Sequence, residues 1–350
     1  MQIVDLIIPF IVSFTISLVL TPIVRYFAIR FGFVDNPNRS HPAILHTTII
    51  PRAGGIAMLI AFVLTSLWYA TVDVTLLAII FSSTIMVTIG TIDDKYDLSP
   101  KFRLLIQLFC GLIVALSGIE FYISNPLGGD VINFNSIKLI IPLMGISIPL
   151  ITILIIPFWT TMFMNISNWT KGASQLPGIA VIAFLTLAGV ALKYQAGNPL
   201  QEQTAILAVI LAGAVLAFVP FNFPPEKMFP GFGASTFIGL NLAVLSILSG
   251  GKVAALLIVF IIPVIDAFVV GVKRLIKGKN PLTHDREHLY HLLMDFGLTK
   301  RNIIVIYWLT TIIFSLSTIL ITGNNKLIII CGLGFLITLI FLILYKKKNV

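Results

Sequence analysis

Long apolar stretches, separated by short polar ones, run along almost the whole chain. Eleven of them are long enough to cross the ~30 Å hydrocarbon core of a bilayer as helices. They occupy approximately residues 3–24, 53–72, 74–92, 103–123, 147–166, 175–192, 203–220, 233–249, 253–272, 303–322 and 327–345. The pattern predicts an all-α, polytopic membrane protein with about eleven transmembrane helices. Residues 1–350 are expected to form one integral-membrane domain.

The composition excludes an ordinary soluble domain. Of the 350 residues, 58% are hydrophobic and only 11% are charged, and the mean hydropathy is +1.04. Soluble proteins carry about 25% charged residues.

The basic residues are distributed unevenly between the two sides of the membrane. If the predicted spans alternate in direction, one set of loops and the C-terminus carry 19 of the 23 Lys and Arg residues. Because cytoplasmic loops are enriched in Lys and Arg, we expect the N-terminus outside and the C-terminus in the cytoplasm. The expected location is the plasma (inner) membrane. This orientation and anionic headgroups account for the net charge of +9, so no nucleic-acid partner is implied.

Polar residues suited to chemistry concentrate in the five predicted cytoplasmic loops. These loops lie near residues 25–52, 93–102, 167–174, 221–232 and 273–302. A channel or ion-coupled carrier would place ionisable groups within its spans, where Asp266 alone is a candidate. The pattern therefore favours a site at the cytoplasmic membrane surface. The external segment 124–146 contains the turn sequence NPLGGD and is expected to be a hairpin or an irregular surface segment.

Two adjacent carboxylates, Asp93 and Asp94, end the third apolar stretch, and Asp97 follows them. If the helix continues to this point, Asp93 and Asp97 share one face and Asp94 lies about 100° away. Paired carboxylates at a headgroup boundary can hold Mg²⁺ or accept a proton from a phosphate or hydroxyl group. The alternative is that they are solvated groups at a helix end.

The other four loops contain residues suited to binding anions. The candidates are Arg39, His46 and Arg52 in the first loop, Asn168 and Lys171 in the third, Asn222 in the fourth, and Arg286, His288 and His291 in the fifth. Cytoplasmic arginines also occur for reasons of topology alone. The turn GFGAS after Pro230 opens a helix and can present N–H groups to an anion. For the two histidines of the fifth loop, anion recognition is favoured over a zinc site.

The five polar loops, in their order along the chain, resemble those of the polyprenyl-phosphate N-acetylhexosamine-1-phosphate transferases. The matching stretches are VDNPN followed by PRAGG, GTIDDKYDLSPKFRLLIQ, Asn168, Asn222 with FPGFGAS, and DREHLYH. The resemblance covers almost the whole chain. The stretch DREHLYHLLMDFG is more similar to the N-acetylglucosamine branch than to the muramoyl-pentapeptide branch.

The resemblance implies a glycosyl-1-phosphate transferase. In such a reaction, a sugar 1-phosphate passes from a UDP-sugar to a polyprenyl phosphate, giving a lipid-diphosphate sugar and UMP for cell-wall or surface-polymer synthesis. The resemblance places Asp93 and Asp94 at the lipid-phosphate end as catalytic groups. It places Mg²⁺ near the nucleotide-sugar, and it leaves a homodimer open. The predicted substrate-binding residues are Arg39, His46, Arg52, Asn168, Lys171, Asn222, Arg286, His288 and His291.

The sequence departs from the family pattern where carboxylates are usual. Lys171 and Ser174 stand at two such positions in the third loop, and Phe232 stands at one in the fourth. Because the site is less negative by about four charges, we expect Mg²⁺ to bind together with the nucleotide-sugar, through Asp93 or Asp94, and not to the free protein. Lys171 is expected to neutralise phosphate charge as a point cation.

Two other functions stay open. A catalytically degenerate relative that binds polyprenyl phosphate or a partner would explain the missing carboxylates. A transporter would explain only the number of spans and Asp266. Release of UMP from UDP-N-acetylglucosamine and undecaprenyl phosphate separates the transferase from both.

Overall fold

The structure, a computed structural model, is mostly helical. It describes residues 3–37, 48–119, 122–123, 132–133, 137–141, 146–194, 198–248, 253–278, 287–320 and 325–348. The helices are α1 (Ile3–Arg30), α2 (Gly54–Tyr69), α3 (Val74–Tyr96), α4 (Pro100–Leu116), α5 (Leu150–Thr170), α6 (Leu176–Lys193), α7 (Pro199–Leu216), α8 (Val219–Asn222), α9 (Gly231–Ile247), α10 (Val253–Val259), α11 (Ile261–Ile276), α12 (Leu289–Asp295), α13 (Lys300–Leu320) and α14 (Asn325–Lys348).

Short antiparallel strand pairs are the other regular elements of the described chain. They are β1 (Val34–Asp35) with β2 (Ile50–Pro51), β3 (Tyr122–Ile123) with β4 (Ile132–Asn133), and β5 (Lys138–Ile141) with β6 (Ile146–Pro149). The last two pairs lie at or beside residues 124–146, for which the sequence predicts an external hairpin or an irregular surface segment. The helical class and the polytopic membrane character agree with the prediction.

Several helices are suited to crossing a membrane. In the described ranges, six segments are long and apolar enough: Val4–Arg30, Val74–Tyr96, Leu150–Thr170, Leu176–Lys193, Pro199–Asn222 and Lys300–Leu320. Helices α10 and α11 pass the same test as a pair, but they are bent by 80° at the break between them. Each of the eleven predicted segments overlaps a helix, whereas the number of helices that cross the membrane, and their direction, stay predictions.

Apolar side chains cover the outside of the bundle. Ile11 and Leu18 on α1, and Leu309 and Ile313 on α13, are all exposed. An apolar surface of this extent would be unfavourable in water and is compatible with contact with lipid.

Helix α9 lies at the centre of the bundle. All of its residues are buried, and α2, α3, α5, α6 and α10 pack around it. The close approach of α3 requires Gly90, where a Cβ atom would lie 2.3 Å from the Cα of Gly233. This contact holds the first turn of α9 against the C-terminal end of α3, where Asp93 and Asp94 lie.

Candidate functional site

The turn between α3 and α4 positions an arginine on Asp93. Helix α3 ends at Tyr96, and Asp97 adopts a left-handed conformation with φ of 50°. Ser99 then caps α4, its hydroxyl oxygen accepting the Phe102 N–H at 3.3 Å. This turn brings Arg103 back to Asp93, and Arg103 Nε lies 2.7 Å from Asp93 Oδ1. The two groups form an ion pair, but the N–H is not aligned for a hydrogen bond. Arg103 also pairs with Asp97.

Asp94 is held by the first turn of α9. The Phe232 N–H donates to both of its carboxylate oxygens, at 3.0 and 2.9 Å. Gly231 makes this approach feasible, because it has φ of +69° and a Cβ atom there would lie 2.1 Å from Asp94 Oδ2. The turn that opens α9 therefore binds an anion, as its sequence indicates, and that anion is the carboxylate of Asp94.

Arg52 connects Asp94 to the first loop. It follows β2, where it forms an ion pair with the buried Asp35, and its Nη1 lies 3.7 Å from Asp94 Oδ1. The Phe229 N–H donates to the Pro51 carbonyl at 2.8 Å, which joins this loop to the segment before α9. The predicted phosphate-binding residue Arg52 thus lies beside the predicted catalytic carboxylates.

Lys171 is a cation without a described carboxylate partner. It caps α5, and its Nζ lies 5.9 Å from the centroid of the Phe232 ring. Burial lowers the pKa of Lys171 to about 8, against the opposing effect of the Asp94 carboxylate. Among the residues that the structure describes, Lys171 forms no ion pair.

Asn168 lies at the same end of α5 as Lys171, beside a small cavity lined by both polar and apolar side chains. Its side-chain oxygen accepts the Ser235 hydroxyl at 3.1 Å. Gln107 is buried, its side-chain oxygen accepts the Asn165 amide at 2.9 Å, and its Nε2 has no described hydrogen-bond partner. The cavity measures about 40 Å³ and is lined by Pro100, Arg103, Leu104, Gln107, Asn165, Asn168, Trp169 and Phe232.

His288 and His291 occupy different environments. His288 Nδ1 lies 3.0 Å from Asp266 Oδ2, and the ring of Trp169 lies 6.1 Å away. His291 is fully buried, with its ring 4.1 Å from that of Tyr290. The structure therefore places His288 next to Trp169 at the end of α5, whereas His291 is buried against Tyr290.

Asn222 lies in the loop before α9. It is buried, and its amide donates to the Met228 carbonyl at 3.1 Å, so it braces that loop. Among the described residues, no hydrogen bond joins Asn222 to Asp93 or Asp94. The predicted site residues Arg39, His46 and Arg286 fall outside the described residues.

The protein groups at the paired carboxylates do not fit a resident Mg²⁺ ion. Asp93 is paired with Arg103, and both oxygens of Asp94 accept the Phe232 N–H. Within the described ranges, no three His, Cys, Asp or Glu side chains come together as a metal site. A Mg²⁺ ion requires several oxygen ligands at about 2.1 Å, and here most of the neighbouring groups are cations.

Three parts of this geometry are absent from the sequence prediction: the ion pair of Arg103, the unsatisfied amide of Gln107, and the pairing of Asp266 with His288. Ser99 and Pro100 carry a recognisable helix-start signal, which could have placed Arg103 near Asp93. No local sequence pattern indicates the contact between Asp266 and His288, which are 22 residues apart.

Comparison with known proteins supports one family. The profile of Glycosyl transferase family 4 matches residues 76–250. The chain is 31% identical over 331 residues to a probable undecaprenyl-phosphate N-acetylglucosaminyl 1-phosphate transferase of Bacillus subtilis, covering 91% of this chain and 85% of that protein.

Two more distant relatives carry related names. A decaprenyl-phosphate N-acetylglucosaminephosphotransferase of Mycolicibacterium smegmatis is 26% identical, covering 91% of this chain and 82% of that protein. An undecaprenyl-phosphate alpha-N-acetylglucosaminyl 1-phosphate transferase of Escherichia coli is 28% identical, covering 81% and 74%. These matches confirm the family predicted from the loop sequences.

Proposed function

Because the chain belongs to Glycosyl transferase family 4, we propose that it transfers a sugar 1-phosphate from a UDP-sugar to a polyprenyl phosphate. The names of its relatives favour N-acetylglucosamine 1-phosphate as the transferred group. The chain would act as one integral-membrane transferase domain over residues 1–350, in cell-wall or surface-polymer synthesis.

The environment of Asp93 carries this proposal. Its Oδ1 is engaged by Arg103 and by the Leu98 N–H at 3.0 Å, whereas no contact of the described chain engages its Oδ2. Asp93 Oδ2 is therefore suited to accept a proton from the lipid phosphate. An oxygen of that phosphate then attacks the β-phosphorus of the UDP-sugar. The new P–O bond forms as the bond from that phosphorus to the bridging oxygen breaks, and UMP leaves.

The neighbouring groups have supporting roles. Asp94, held by two contacts to a backbone N–H, keeps the start of α9 in place. Arg52 and Lys171 are suited to attract the diphosphate. His288, fixed through Nδ1 by Asp266, can present Nε2 to the sugar or its phosphates. For Asn168, Asn222, His291, Arg39, His46 and Arg286, substrate contact stays a prediction.

The binding of Mg²⁺ together with the nucleotide-sugar also stays a prediction from the sequence. The contacts of Asp93 and Asp94 leave few protein oxygens for such an ion.

A non-catalytic relative that binds the same ligands is the second candidate, and the poor fit of the carboxylates to a metal favours it. The transporter hypothesis rests on Asp266, which instead pairs with His288. Incubation with UDP-N-acetylglucosamine and undecaprenyl phosphate tests the transferase. We expect UMP and a lipid-linked sugar in equal amounts, whereas binding of both substrates without UMP would favour the non-catalytic relative.

The proposed orientation is testable by labelling. In a variant lacking Cys110 and Cys331, Asp97→Cys should react with an impermeant maleimide only from the cytoplasmic side. Ile137→Cys, exposed beside β5, should react only from outside, because the basic loops face the cytoplasm. Labelling of both positions from one side would contradict this topology.

The pKa of Lys171 predicts a pH dependence for nucleotide-sugar binding. Below a pKa of about 8 the ammonium is charged and attracts the diphosphate, and above it the charge is lost. The affinity for UDP-N-acetylglucosamine should therefore fall as pH rises through about 8 to about 9, by up to about tenfold per pH unit. Lys171→Ala should bind UDP-N-acetylglucosamine more weakly at neutral pH, and its affinity should no longer depend on pH in this range. Lys171→Arg should still bind the nucleotide-sugar, but with an affinity that does not change over this pH range. Calorimetric titrations at several pH values measure these affinities.

Lys193→Ala is the matched control for this experiment, because Lys193 is an exposed lysine on the last turn of α6. It should keep the wild-type affinity and the wild-type pH dependence. An unchanged pH dependence in Lys171→Ala would show that another group titrates.

A further inference from the structure

The ring of Phe232 lies among the charged groups of the site. Phe232 belongs to the first turn of α9, its side chain is buried, and its own N–H is bound to Asp94. Arg103 Cζ lies 5.5 Å from the centroid of the ring, and Lys171 Nζ lies 5.9 Å from it. Both cations are therefore within cation–π distance of one aromatic ring.

An aromatic ring and a carboxylate act differently on neighbouring cations. A carboxylate cancels positive charge and accepts N–H groups. A ring attracts a cation through its quadrupole, but it carries no net charge and takes no strong hydrogen bond. Phe232 can therefore hold Arg103 and Lys171 in place without cancelling their charge. The ammonium of Lys171, which forms no ion pair among the described residues, stays available to an anion, whereas Arg103 also pairs with Asp93 and Asp97.

The same arrangement is unfavourable for a divalent cation. Arg52 lies 3.7 Å from Asp94, and Arg103 lies 2.7 Å from Asp93. A Mg²⁺ ion bound to either carboxylate would have to displace these partners, close to the ammonium of Lys171. Repulsion between cations at such distances is substantial in a partly buried site.

We propose that this site binds the diphosphate of the nucleotide-sugar through Lys171 and Arg103, held over Phe232, together with Arg52, and that this binding requires no divalent cation. The inference rests on the proposed function for the identity of the ligand. It assigns to protein side chains the charge neutralisation that a metal ion provides in many phosphoryl-transfer sites.

The experiment measures binding of UDP-N-acetylglucosamine to the purified full-length protein by calorimetry, in excess EDTA and then in excess Mg²⁺. The two dissociation constants should agree within about threefold, since the protein supplies the charge itself. A larger loss of affinity in EDTA would overturn the inference, and so would an absence of binding under both conditions.

Two substitutions of Phe232 test the role of the ring. Phe232→Leu keeps an apolar side chain but removes the quadrupole, so the affinity should fall by about fivefold in EDTA and in Mg²⁺ alike. Phe232→Asp introduces a metal ligand, and its single negative charge offsets one of the two neighbouring positive charges. Its affinity should depend on Mg²⁺ by at least about tenfold. Wild-type affinity in Phe232→Leu, or metal independence in a folded Phe232→Asp protein, would contradict the assignment.

The outcomes separate this inference from the proposed function. Metal-independent binding without UMP release would leave the inference standing and refute the transferase. Transfer and binding that both require Mg²⁺ would support the transferase and refute the inference. Lys193→Ala again serves as the control, with binding equal to the wild type in EDTA and in Mg²⁺.

Discussion

Asp93→Asn should lower turnover of UDP-N-acetylglucosamine by about 10²–10⁴-fold, which is the range for loss of a general acid or base. Asparagine keeps the shape of the side chain, and its amide oxygen can still accept the Leu98 N–H that now binds Asp93 Oδ1 at 3.0 Å. It has no basic oxygen to accept the proton of the lipid phosphate. Yield and thermal stability of the variant should change little compared with its turnover.

Asp97→Asn is the matched control for this substitution. Asp97 also pairs with Arg103, but its side chain is 89% exposed, so its charge interacts weakly with the site. We expect turnover close to that of the wild type. Equal losses of turnover in the Asp93 and Asp97 variants would indicate that both substitutions act through Arg103. Wild-type turnover in Asp93→Asn would exclude Asp93 as the proton acceptor.

Gly231→Ala should have the second-largest effect, on both activity and stability. A Cβ atom at this position would lie 2.1 Å from Asp94 Oδ2, so Asp94 would have to leave the Phe232 N–H. The φ angle of +69° adds backbone strain, for which the typical cost is about 1–3 kcal/mol. We expect a turnover loss of about 10²-fold, because displacement of a group by 1 Å can have this effect.

Gly278→Ala separates the strain from the displacement of Asp94. Gly278 has a similar φ of +65°, and no atom of the described residues would lie within 4 Å of a Cβ atom there. Gly278→Ala should lose only the stability that the strain costs. Gly231→Ala should lose more, because it also displaces Asp94 from the Phe232 N–H, and it alone should lose turnover. Matching turnover in both, measured with the UMP assay, would contradict the role assigned to the contact between Gly231 and Asp94.

The membrane helices and the central carboxylates could be predicted from local sequence. Apolar runs have to form helices in a bilayer because their backbone groups need internal hydrogen bonds, and each predicted run overlaps a helix. Asp93 and Asp94 stand out because carboxylates are costly beside apolar segments. The turn at Gly231 is predicted to bind an anion, and the structure supplies one from α3, 138 residues away along the chain.

The remaining features depend on contacts between distant segments. Asp266 reads as an isolated acidic residue within an apolar stretch, and only folding brings it to His288. In the sequence, Phe232 is recognisable only as a position where the family usually has a carboxylate. The two cations over its ring, Arg103 and Lys171, come from α4 and the end of α5. Hydrophobic periodicity carries no information about such pairs, because it reports which face is buried and not which side chains meet.

The fate of a radiolabelled β-phosphate tests the central claim most directly. The purified protein would be incubated with UDP-N-acetylglucosamine labelled at that phosphate and with undecaprenyl phosphate, and the lipid and aqueous fractions would be counted. Transfer of a sugar 1-phosphate predicts label in the lipid fraction together with unlabelled UMP, and its loss in Asp93→Asn. Label that stays in the aqueous fraction as UDP-sugar or as UDP, with no UMP formed, would contradict the account.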